Sequence, residues 1–188
     1  MNVQPRAGPT GPADALAVVS PLRDQVLATR NEPAVILIRL LVGLVVFFPE
    51  GLQKLLFPAL LGAGRFASIG IPWPNLMGPF VGVVETVCGA LLILGLLTRL
   101  AVIPLIIVMI VAIVSTKIPI LLGHDFGIFH VPHLSRYGFW SMQHEARADF
   151  CMLLACLFLL IVGSGAWSLD LWWHRRLRPE SQFRLKSM

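Results

Sequence analysis

The chain has 188 residues, of which 56% are hydrophobic and 13% charged, with a formal net charge of +5. A soluble domain carries about 45–50% apolar and about 25% charged residues, so these charges are too few to coat a water-exposed surface, and lipid must cover much of it. The basic residues flank apolar runs and form no stripe on one face, which excludes a nucleic-acid-binding module and marks them as topology signals and contacts for anionic lipid.

Residues 1–33 form an N-terminal segment. Its first part, 1–13, is rich in Pro and Gly and is expected to be disordered; residues 14–30, with Leu16, Val18, Val19, Leu22 and Val26 beside Arg23 and Arg30, read as an interfacial helix or a linker. The first apolar run spans about residues 34–60, with Pro49 and Gly51 expected to kink or end its regular part. A Gly/Pro-rich loop over 62–74 follows, with Trp73 suited to the membrane interface. The second run covers about 75–97 and the third about 99–121, with Gly95 and Thr98-Arg99 at the turn, because one span needs only about 20 residues. A second loop occupies 122–143, and the fourth run covers about 144–165. Residues 172–188 form a basic tail.

The reading is therefore all-α: an integral membrane bundle of four transmembrane helices over residues 34–171. Lys and Arg concentrate in the tails and at Arg99, whereas the two long loops carry mainly Arg65 and Arg136, so both termini are expected in the cytoplasm. Cys88, Cys151 and Cys156 lie inside apolar runs without a C-x-x-C pair and read as packing residues.

Charges within the runs carry the functional argument, because a charge at the bilayer centre costs about 2.5–3.5 kcal/mol and must turn inward and pair. Arg39 sits roughly 8–9 Å above the cytoplasmic boundary and Glu85 near mid-membrane, a gap an Arg side chain can span, so an Arg39–Glu85 ion pair is expected. Glu50 and Lys54 form an i, i+4 pair. Glu145 and Asp149 share a face of the fourth helix, where one must meet a cation or hold a proton, with Lys54 and Lys117 as the partners. Lys54, Lys117, Glu145 and Asp149 are thus the candidate proton-handling, catalytic residues of a polar pocket facing the loops. Gly78, Gly82, Thr86 and Ala90 form a small-residue stripe beside Glu85 that favours close helix approach. His124, His130 and His133, near Asp125, are candidate metal ligands, although their spacing matches no established metal motif.

An ordered set of motifs runs over residues 35–171: Arg39, Phe48-x-x-Gly51-x-x-Lys54-Leu55, Gly64-Arg65-Phe66-x-x-Ile69-Gly70-Ile71-Pro72, and Gly82-x-x-Glu85-x-x-x-Gly89 running into Leu94-Gly95-Leu96-Leu97-Thr98-Arg99. Met109-x-x-Ala112, Glu145 and the stretch from Gly163 to Asp170 complete it. In this set the chain resembles the DoxX family of small bacterial membrane proteins. The resemblance implies a four-helix bundle in the bacterial cytoplasmic (inner) membrane and an association with redox metabolism, since relatives include a subunit of a thiosulfate:quinone oxidoreductase and a partner in a mycobacterial oxidative-stress complex. Three functions follow as expectations. One is a membrane oxidoreductase subunit that interacts with quinone and a redox protein partner, with no haem, flavin or disulfide motif of its own. The others are a non-catalytic scaffold and a metal-handling protein; homo-oligomers fit any of the three.

Overall fold

Proline and glycine decide where the helices of this chain bend, stop and approach one another. A computed structural model describes residues 32–177, so the expectations for 1–31 and for 178–188 lie outside the described residues. Among the described residues the architecture is all-helical, with a single isolated bridge, Phe126–Phe129, in a loop. Helix α1 spans Val35–Leu56, α2 Ala63–Ser68, α3 Pro74–Leu94, α4 Thr98–Leu122, α5 Phe139–Val162 and α6 Leu169–Leu177. The rods α1, α3, α4 and α5 alternate in direction. One end of the bundle carries the loops 57–73 and 123–138 (the loop end). The other carries the α3–α4 turn and the segment between α5 and α6 (the tail end).

Helix α1 passes through Pro49 without stopping. A proline lacks the N–H that would donate to residue i−4, and its ring clashes there. The chain absorbs both defects by widening into a π-helical segment, Val46–Leu52, and then continues as α-helix to Leu56. Helix α4 does the same ahead of Pro119, with a π-helical segment at Ile113–Lys117. Such bulges occur frequently at functional sites, and here they carry Glu50 on one rod and Ser115, Thr116 and Lys117 on the other.

Small residues set the α1–α3 contact. A Cβ on Gly51 would lie 2.6 Å from the Thr86 amide nitrogen, and one on Gly89 would lie 2.8 Å from that of Phe47. Only glycine lets the backbones come this close, as the Gly82/Thr86 stripe anticipates. The core between the rods is apolar, with Val42, Val46, Leu92, Val102, Leu105, Cys156 and Leu159 fully buried. The outward faces are apolar as well; Leu37 is 70% and Ile161 73% exposed. Rods apolar on both sides belong in lipid.

Three rods, α1, α3 and α4, are long and apolar enough to cross a membrane. Helix α5 has 24 residues, but Glu145, Arg147 and Asp149 fall in its first half. It begins at Phe139, ahead of the expected start near 144, because Gly138 at φ 101° marks the break and the charged turn continues as helix. The expected loop over 62–74 contains α2, whose Phe66 is buried against the bundle. Cys88 and Cys156 are buried and Cys151 exposed, all as free thiols.

Candidate functional site

Two groups of buried charge form at different heights. At the tail end, Arg39 is 2% exposed. Its two terminal nitrogens donate to the carbonyl oxygens of Ser164 and Trp167, each at 2.6 Å. These carbonyls are available because α5 stops at Gly163, which has φ 89°, and the chain turns back over the bundle. Asp170, at the start of α6, accepts from the Leu97 N–H at 2.7 Å and from the Thr98 N–H at 3.1 Å. It thereby supplies the acceptor that the start of α4 lacks, the role of an N-cap residue reached across the fold. The turn itself reverses through Gly95 at φ 66° and Leu97 at φ 49°.

Arg39 and Glu85 therefore do not pair. Along α3, Gly95 is the position whose Cβ would meet the Arg39 guanidinium, at 2.5 Å. Glu85 lies ten residues away from it, about 15 Å along the helix. The separation along the bundle is longer than the expected pair allowed, and the free carbonyls below α5 satisfy Arg39 first.

Glu85 instead belongs to the second group, toward the loop end. The Lys54 ammonium donates to Glu85 Oε2 at 2.7 Å and to Glu50 Oε2 at 2.9 Å. Glu85 is 1% exposed, whereas the Glu50 side chain is 43% exposed. Opposite stands Lys117, paired with Asp149 at 3.1 Å between α4 and α5. Both pairs line one cavity of about 340 Å³, whose walls come from α1, α2, α3, α4 and Asp149 of α5. Its loop-end wall also includes Arg65 of α2 and Ser115 and Thr116 of α4. Its remaining wall is apolar, built from Met77, Phe80 and Val81 of α3 and Ile107, Val108 and Val111 of α4. Phe80, Ile107 and Val111 also rank among the exposed residues on the outer faces of these rods, so the cavity's apolar side reaches the lipid-facing surface between α3 and α4.

Of the residues the sequence singled out as proton-handling, Lys54, Lys117 and Asp149 meet at this cavity and Glu145 does not. Glu145 is exposed and lines a separate surface depression with Arg136, Trp140 and His144. One helical turn separates it from Asp149, and the residue deeper along α5 meets Lys117, the cation partner expected for one of the two carboxyls, while Glu145 stays at the surface. Sequence reasoning did not single out Ser115, and it used Arg65 for topology and as part of a family motif, not as a site residue. A hydroxyl beside Lys117 at the end of an apolar run was the one available signal for Ser115.

The loop histidines are not arranged as metal ligands: among the described residues no group of three or more His, Cys, Asp or Glu side chains converges. His124 Nδ1 contacts its neighbour's carbonyl, Asp125 O, at 2.8 Å. His130 Nδ1 contacts Asp125 Oδ2 at 3.0 Å. Asp125 Oδ1 accepts from the Val131 N–H at 2.8 Å. The Val131 N–H first, and then the His130 contact, hold the Asp125 carboxyl below its ordinary range. This carboxylate organises its loop.

Apolar-walled rods enclosing paired charges define an all-helical membrane protein with an amphipathic internal cavity. The DoxX family model matches residues 34–118. The uncharacterized membrane protein Rv3486 of Mycobacterium tuberculosis is 50% identical over 151 residues, covering 80% of this chain and 88% of its own length. The chain belongs to the DoxX family. No solved structure matches it.

Proposed function

We propose that this protein is a redox-associated subunit of the bacterial cytoplasmic membrane that binds a quinone in the cavity beneath its loops. In this reading α5 is the fourth span. Arg99 and the cations of both tails lie on the cytoplasmic side, following the Lys/Arg asymmetry. The observation that carries the proposal is the cavity's two-part lining. Two buried ion pairs sit at the loop end, and an apolar wall extends to the lipid-facing surface between α3 and α4.

A quinone fits this lining: polar oxygens on an apolar ring and tail, dissolved in the bilayer. The cavity volume of about 340 Å³ also falls in the range of about 300–1,000 Å³ common to small-molecule sites. When bound, the quinone supplies two-electron chemistry coupled to two protons. A redox protein partner, which the family resemblance implies, supplies the electrons. Lys117 and Asp149 hold the exchangeable proton nearest the α4 wall. Lys54 does so between Glu85 and the more exposed Glu50, which gives a path toward the loop side.

The test is titration of decylubiquinone, and of a menaquinone with a two-isoprene tail, into the full chain in nanodiscs of quinone-free lipid. Saturable binding that weakens in Lys117→Met is expected. Linear partitioning identical to that of empty nanodiscs, for both quinones, refutes the reading.

A further inference from the structure

We propose that Ser115 is the hydrogen-bond donor that fixes a quinone carbonyl oxygen in the cavity, an inference that rests on the reading above. Ser115 is 1% exposed, and its Oγ has no hydrogen-bond partner. It lines the cavity together with the two ion pairs. Buried hydroxyls nearly always find a partner, and in a helix the ordinary partner is the carbonyl four residues back. Thr116 next to it does this, donating to Ala112 O at 2.5 Å. Ser115 does not, although both stand in the same π-helical segment.

The buried cations of the wall are already committed, and Arg65, the remaining cation of the lining, is exposed. The Lys54 ammonium is held by two carboxylates and Lys117 by Asp149. A ligand oxygen bound by either lysine must compete with an ion pair in a dry setting. One bound by Ser115 competes with no ion pair and satisfies a donor the fold leaves open, once a side-chain rotation brings the covered Oγ to the cavity. Thr98 Oγ1 is likewise buried without a partner, but it stands at the tail-end turn and does not line the cavity. Among the described residues, the combination of a buried open donor and a cavity wall is therefore particular to Ser115. Its place on α4, one turn beyond Val111 and beside Lys117, puts the ligand's oxygen at the loop end and its apolar part along Ile107 and Val111.

The experiment compares wild type, Ser115→Ala, Ser115→Cys and Ser115→Thr in nanodiscs. It measures decylubiquinone affinity and the infrared carbonyl stretch of the bound quinone labelled with carbon-13 at its carbonyls. Loss of one neutral hydrogen bond weakens binding about tenfold. Ser115→Ala and Ser115→Cys are expected to show that loss and a carbonyl band moved to higher frequency. Ser115→Thr, which keeps the hydroxyl, retains both wild-type values. Thermal unfolding of each variant separates a binding loss from a folding loss, and Cys provides a near-isosteric check on Ala. If wild type binds and Ser115→Ala binds equally well with an unmoved band, the hydroxyl is satisfied by water and the inference fails while the quinone reading stands. If wild type does not bind, both fail.

Discussion

Replacing Lys54 by Met removes the one cation that, among the described residues, forms an ion pair with Glu85. The two side chains are 10% and 1% exposed, and the contact is 2.7 Å, so the carboxylate left behind is buried and keeps only the more distant, exposed Arg65 as a counter-charge. Removing one partner of a buried ion pair costs about 3–5 kcal/mol. Glu85 can relieve part of this by taking up a proton, which places the expected loss near the lower bound, about 3 kcal/mol. Glu85→Leu costs less, about 1–2 kcal/mol, because Lys54 keeps Glu50 at 2.9 Å and that pair is partly solvated. The double variant Lys54→Met/Glu85→Leu has no orphaned charge and should lose far less than the sum of the two singles. Equilibrium unfolding in mixed micelles of mild detergent and SDS reads all three. A Lys54→Met loss under about 1 kcal/mol, or singles that add to the double, would refute the reasoning.

Other expectations follow from the same geometry. Asp170→Ala removes the acceptor for the Leu97 and Thr98 amides and should destabilise the protein by about 1–2 kcal/mol in the same unfolding assay, with Asp170→Asn losing less. Gly51→Ala drives a methyl to within 2.6 Å of the Thr86 backbone, so α1 and α3 must separate, at about 1–3 kcal/mol; Gly127→Ala, which meets nothing within 4 Å, disturbs only its loop. The Asp125 carboxyl is held below its ordinary value by its loop contacts, so the loop's order is fully present above that value, about 3.9, and is lost as pH falls through the lower folded value. Amide exchange at Val131, followed by NMR, should speed up only below that range, and Asp125→Asn should remove the dependence.

Much of the fold is legible because lipid imposes a simple rule on composition. The runs around Val42, Val84 and Ile107 could not be anything but helical spans, and the turn at Gly95 and Thr98 falls where the apolar stretch exceeds one crossing. The inward turn of Lys54, Glu85, Lys117 and Asp149 follows from the same intolerance of lone charge. Partner choice is less legible. Arg39 finds the carbonyls of Ser164 and Trp167, and only the three-dimensional return of the chain after Gly163 brings them close. Pro49 is expected from the sequence to kink α1 or end its regular part; the regular helix does give way there, but to a π-helical bulge through which the rod continues to Leu56. Glu145 and Asp149 share a helix face in sequence, yet one turn decides which is exposed and which reaches a cation. For Ser115 the sequence offers only a hydroxyl close to Lys117, since an unsatisfied hydroxyl is a property of its surroundings.

The measurement that bears most directly on the cavity and its occupant is photolabelling of the full chain in nanodiscs with a short-tailed azidoquinone, followed by peptide mapping. Label competed away by decylubiquinone and concentrated in the 77–85 and 107–117 segments is the expected result, since these form the two walls that face each other. Label that is not competed, or that falls on the outward face of α5 around Phe158 and Ile161, would contradict it.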